Sequence, residues 1–123
     1  MAKVEKFEDW DCWKAGRELV NLVFDLCEKP ALAKDFDTKS QIKRASVSTM
    51  NNVAEGFGRY SNNEFVRFLN IAQSSALEVR SMSYVLLDRK YITPKEFDLL
   101  YEKSNKVIGL NNGFIRYLVS KGK

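Results

Sequence analysis

The chain is 123 residues long, 45% hydrophobic and 29% charged, with a net charge of +4 and no histidine. That composition fits one globular domain built around a single core. The missing histidine removes the commonest general base and metal ligand, and with them any Ser–His or Cys–His nucleophile pair.

The first amphipathic segment runs from about Asp9 to Glu28. Trp13, Val20, Val23, Phe24 and Cys27 share a face at helical spacing, and Leu19, Leu22 and Leu26 widen it beyond the needs of one bundle seam. Lys29-Pro30 closes it, because a residue ahead of proline is pushed out of the helical region. Along such a helix Cys12 and Cys27 lie ~22 Å apart, too far for a disulfide. Two cysteines without histidine also speak against structural zinc. A linker from Pro30 to Asp37 follows.

The second helix is predicted from Thr38, with Thr38-Lys39-Ser40-Gln41 as a capping box, and ends around Gly56 to Tyr60. Gly56-Phe57-Gly58 reads as a C-terminal cap rather than a phosphate loop. Ile42, Val47, Met50, Val53, Ala54 and Phe57 fall on one arc of this helix. Gln41, Arg44, Ser48, Asn51, Asn52, Glu55 and Arg59 fall on the other, within roughly 100°. A solvated helix face is usually Lys and Glu, which are strong helix formers. Ser, Asn, Gln and Arg are costlier choices unless they cap, pair or touch something. The stripe is therefore a candidate contact surface, with a plain solvent face as the alternative.

Ser61-Asn62-Asn63-Glu64 is a further capping box and opens the third helix, which reaches about Lys90. Phe65, Phe68, Leu69, Ala72, Ala76, Val79, Met82 and Leu86 form its core stripe. Val66, Leu77 and Tyr84, flanked by Gln73 and Arg80, line a face turned away from that stripe, an arrangement expected of a subunit contact. Thr93-Pro94-Lys95-Glu96 is the clearest start signal in the chain: Thr93 as N-cap, Pro94 in the first helical position, Glu96 as the box partner. The fourth helix carries Phe97, Leu100, Tyr101, Val107, Ile108, Phe114 and Leu118, with Gly109 and Gly113 working against its regularity. No strand pattern competes. The prediction is an all-α, antiparallel, up-and-down four-helix bundle, one domain over residues 1–123.

Charge is unevenly spread. Residues 1–37 hold 6 basic and 9 acidic residues, residues 38–90 hold 8 and 4, and residues 91–123 hold 6 and 3. From Lys103 to the end stand Lys103, Lys106, Arg116, Lys121 and Lys123, with no acid among those residues. Such a split suits a polyanion partner, although basic C-terminal turns also complement the helix dipole. Neither GxGxxG nor GxxxxGK[ST] occurs. No apolar run reaches the 18 or so residues of a membrane span, and the N-terminus has no apolar signal region, so a cytoplasmic location is expected. Glu55 and Glu78 are the nearest thing to a catalytic carboxylate pair. Di-metal bundles use Glu-x-x-His, and charge partnership with Arg44, Arg59 or Arg80 is the better account. No cofactor, metal or catalytic residue is expected.

Gln41-Ile42-Lys43-Arg44-Ala45 through Asn52-Val53-Ala54-Glu55-Gly56-Phe57-Gly58-Arg59 resembles the signature of the bacterial four-helix-bundle family encoded within intervening sequences of 23S ribosomal RNA genes. Trp13-Lys14-Ala15, Glu64-Phe65, Phe68-Leu69-Asn70-Ile71-Ala72, Ser75 and Glu78 extend the likeness over nearly the whole chain. Ser74 departs from it, standing where the family commonly has glycine. The resemblance implies a homo-oligomer, often a pentamer, with no enzymatic activity. Its ribosomal label reflects gene location. A similar bundle is the accessory protein of diversity-generating retroelements, which binds nucleic acid and a reverse transcriptase.

Two functional readings follow. In the first, an oligomer binds nucleic acid, RNA favoured, through phosphate contacts from Lys43, Arg44, Arg59, Lys103, Lys106 and Arg116, with Asn51 and Asn52 adding hydrogen bonds. In the second, the protein is an interaction scaffold, with Gln41, Arg44, Ser48 and Glu55 joined by Val66, Leu77 and Tyr84 at subunit contacts. Arg44 and Glu55, eleven residues apart, are too distant for a local bridge and are each expected to find a partner on another helix or subunit. Partners expected are further copies of the chain, RNA or DNA, and a reverse-transcriptase-like protein, but no membrane.

Overall fold

The computed structural model describes residues 6–59 and 61–121. Tyr60, the outer limit of the predicted second-helix end, and Lys123 of the basic tail lie outside them. A 3-10 turn at Phe7–Asp9 leads into α1, Asp11–Leu26. A four-residue turn α2, Pro30–Ala33, is followed by α3, Phe36–Phe57, α4, Asn62–Asp88, and α5, Pro94–Lys121. There is no strand among the described residues. The four long helices alternate in direction. α1 packs on α3 and α5, and α4 packs on the same two, so α1 faces α4 and α3 faces α5 across diagonals.

Helix ends follow local chemistry. Thr93 Oγ1 accepts from the Glu96 N–H at 3.1 Å while Glu96 Oε1 accepts from the Thr93 N–H at 2.8 Å, so both halves of the predicted box form. At Ser61 only one half forms: its Oγ accepts from the Glu64 N–H, and the Glu64 carboxylate turns to Arg67. The predicted box at Thr38 is replaced. Asp35 caps α3, taking the Thr38 N–H at 3.2 Å and the Thr38 hydroxyl at 2.8 Å. A carboxylate holds both groups at once, so the helix begins at Phe36 and the expected linker shrinks to α2 and its flanks. α4 ends in a Schellman turn, with Tyr91 N–H on Leu86 O, Lys90 N–H on Leu87 O, and Lys90 in the left-handed region at φ 61°.

The core has two parts. One joins Leu19, Val23, Ile42, Val79, Leu86, Leu100 and Val107. The other joins Cys12, Val53, Phe65, Leu69, Ala72 and Leu118, with Trp10, Phe57 and Phe114 packed on it. The predicted α4 stripe is buried throughout. α3 is rotated relative to expectation: Ala45, Ser46, Thr49 and Gly56 are buried beside Ile42 and Val53. Ser46 and Thr49 enter the core because each hydroxyl donates to a carbonyl of its own helix. Gly56 is a contact point, not a cap. A Cβ there would stand 2.6 Å from the Phe65 ring. Gly58 is the capping position, in an ordinary right-handed conformation. α5 runs unbroken through Gly109 and Gly113. Asn111 is fully buried, and both its amide atoms lack a hydrogen-bond partner among the described residues.

Candidate nucleic-acid interface

α1 and α3 form a seam whose outer edge is an open groove of about 530 Å³. Its walls are Phe24 from α1 and Lys43, Arg44, Val47, Ser48, Asn51 and Asn52 from α3. Phe24, expected in the core, is 39% exposed. The apolar arc of α1 is wider than its seam can cover: Leu19, Val23, Leu26 and Cys27 take the buried places, and Val20 and Phe24 fall at its edge. The Lys43 ammonium lies 4.6 Å from the centre of the Phe24 ring. No carboxylate lines the groove.

The polar stripe divides into groups already satisfied and groups still open. Gln41 donates to Glu78 Oε2 at 3.0 Å. Ser48 Oγ accepts from Ser75 Oγ at 2.7 Å and from Asn52 Nδ2 at 2.9 Å, tying α3 to α4. The same Asn52 nitrogen reaches the Ser48 carbonyl. Arg44 and Asn51 are exposed, and Arg44 has no ion pair among the described residues. Glu55 finds its partner just beyond the end of its own helix, Arg59, at 3.7 Å. The charge partnership with Arg59 expected from the sequence forms, and it replaces the expected partner on another helix or subunit. Glu55 and Glu78 make no ligand set, and no group of three or more metal-ligating side chains exists among the described residues.

The other basic candidates lie apart from the groove. Arg59 sits at the α3–α4 turn, its guanidinium 4.6 Å from the Phe68 ring, with Arg67 at 4.7 Å from the same ring. Lys103 and Lys106 share Glu18 of α1, at 3.0 and 3.5 Å. Hydrogen bonding from Lys103 holds the Glu18 carboxyl below its ordinary range. Arg116 is exposed near the opposite end of α5. α3 and α5 are diagonal, so the eight candidates form at least two surfaces. The proposed contact line on α4 borders α5 instead of facing away from the bundle. Gln73 donates to Ile108 O and Asn112 Oδ1, Arg80 donates to Asn105 Oδ1, and Val66 is half-buried. Leu77 is 42% exposed, and Tyr84 leans on Phe97 and Tyr101. Phe24 is the groove residue that sequence reasoning missed. The excess width of the α1 apolar arc was its one signal.

This geometry defines a four-helix-bundle protein with open polar surfaces. Its sequence matches the pattern of the 23S rRNA-intervening sequence proteins over residues 8–113, and the chain belongs to that family. A solved structure from Bacteroides thetaiotaomicron, described as a protein of unknown function from the S23 ribosomal protein family, superposes with a TM-score of 0.79. It is 24% identical, covering 85% of this chain and 97% of that one, which shows a shared fold. No curated protein matches the chain.

Proposed function

We propose that the protein is a non-enzymatic, cytoplasmic homo-oligomer that binds nucleic acid, RNA in preference, with the α1–α3 groove as its main contact. The observation that carries this reading is the pairing of Lys43 and the unbridged Arg44 on a groove with no carboxylate in its walls. Phosphates are drawn to such a surface, while Asn51 offers an amide to phosphate or base edges. Repetition of the groove in an oligomer multiplies weak contacts.

The test is retardation of RNA and DNA at low and rising salt, beside light scattering at micromolar concentration. Affinity is expected to fall steeply with salt, and the mass to exceed the 14.2 kDa of one chain. Lys43→Glu with Arg44→Glu is expected to weaken binding more than Lys103→Glu with Lys106→Glu, since Glu18 already engages the latter pair. An intact oligomer that retards no nucleic acid at low salt leaves the scaffold reading, which the exposure of Phe24 beside Val47 favours.

A further inference from the structure

On the α4–α5 seam, across the bundle from the groove, lies a second concave surface of opposite charge. Tyr84 of α4 and Phe97 and Tyr101 of α5 stand with ring centroids 4.9, 6.1 and 5.7 Å apart. With the carboxylates of Asp98 and Glu102 they line an open cup of about 460 Å³. Spacing builds it: Phe97 and Tyr101, and likewise Asp98 and Glu102, are four residues apart on one helix and so stack in parallel rows. Neither carboxylate has an ion pair among the described residues. Tyr84 is 50% exposed.

No cation stands in the lining of the cup; Lys95 shares an adjoining hollow with Asp98 and Glu102, and two other neighbours are engaged elsewhere. Lys103 is drawn to Glu18. Arg80 holds Asn105 while its guanidinium lies 5.6 Å from the centre of the Tyr101 ring. That contact shows the chemistry the rings favour, since aromatic faces attract cations. Carboxylates beside the rings add charge and hydrogen-bond acceptors. They also repel phosphate, so this face does not serve the polyanion that suits the groove. Guanidinium matches all of it: flat enough to stack, weakly hydrated, and able to bind a carboxylate through two N–H groups.

We propose that the Tyr84–Phe97–Tyr101 cup binds an arginine side chain presented by a partner polypeptide. The site goes beyond nucleic-acid binding and stands without it. Together the two faces make the bundle an adapter, with polyanion on one side and a basic protein segment on the other.

An acetylated decapeptide of alternating glycine and arginine is the probe, with citrulline replacing arginine as the neutral control. Aromatic resonances of the full-length protein are followed by NMR. Tyr84, Phe97 and Tyr101 are expected to shift with the arginine peptide and not with the citrulline peptide. Tyr84→Ala is expected to weaken binding by about fivefold or more. Asp98→Asn with Glu102→Gln, which leaves every ring in place, is expected to weaken it too and to flatten its salt dependence. Equal binding of the citrulline peptide, shifts confined to other residues, or wild-type affinity in both variants overturns the proposal. So does movement of the same resonances on simple dilution of the free protein, which places a second copy in the cup.

Discussion

The two ends of the bundle are held by different physics. At the end where α1 begins and α5 finishes, Trp10 stacks on Phe114 with centroids 4.2 Å apart, and Phe65 meets both rings edge-on at 6.4 and 5.1 Å. The buried Trp10 indole N–H has no partner among the described residues there. At the other end directed polar contacts join the connections. Lys29 bridges to Glu96 at 2.6 Å, and Asp35 accepts from Thr38 and from the Tyr91 hydroxyl at 2.8 Å. Aromatic packing carries no titratable group and is indifferent to pH, whereas the polar end depends on charge. The contrast teaches that one domain can be fastened at one end by area and at the other by geometry.

The largest expected effect is at the aromatic end. Phe65→Ala removes a ring that touches Trp10, Phe114 and the Gly56 contact, and is expected to cost about 3–5 kcal/mol in chemical denaturation. Gly56→Ala asks the same ring to move by several tenths of an ångström, and about 1–3 kcal/mol is expected from overpacking. A neutral result for Gly56→Ala means that Phe65 is looser than its contacts indicate.

At the polar end, loss of one cap is expected to cost about 1 kcal/mol for either Asp35→Ala or Thr93→Ala. Acid sharpens the comparison. Hydrogen bonding from the Thr38 N–H lowers the Asp35 carboxyl below its ordinary range, and the Lys29 ammonium does the same for Glu96. Groups depressed on folding stabilise in full above the unfolded carboxylate range, about pH 4. That contribution is lost as pH falls through their lower folded values. Melting temperature is therefore expected to drop between about pH 5 and pH 2.5. Asp35→Asn with Glu96→Gln is expected to remove more of that drop than Glu64→Gln near the aromatic end, where Arg67 lowers the Glu64 carboxyl. An equal effect of the two changes erases the proposed division.

The smallest expected effect is a gain. Lys90 holds a left-handed conformation that glycine adopts without Cβ strain, so Lys90→Gly is expected to raise stability by about 0.5–1 kcal/mol. Thermal denaturation checks the sign.

The fold was legible because its signals were local and repeated. The α4 stripe from Phe65 to Leu86 and the Thr93-Pro94 start needed only spacing and cap chemistry. Asp35 was less legible, since Thr38 offered an equally good cap and only Tyr91, 56 residues later, showed how Asp35 was held. Gly56-Phe57-Gly58 marks the end of α3 in the sequence, but the close approach of Phe65 to Gly56 leaves no mark in the residues beside it. The candidate site was half legible. Lys43, Arg44, Asn51 and Asn52 share one groove as their helical spacing predicts, but Phe24 joins them from another helix. No acid follows Lys103 in the sequence, and Glu18, which engages both Lys103 and Lys106, is 85 residues from the first of them.

Cys12, at the start of α1, carries a consequence for measurement. Burial pushes its thiol up to about 11, so at neutral pH only about one in ten thousand is thiolate, the form that alkylating agents attack. Oxidants and labels must wait until the aromatic end opens. The rate of Cys12 modification is thus a clock for that opening, read by mass spectrometry on the unaltered chain, and Phe65→Ala should make it run fast.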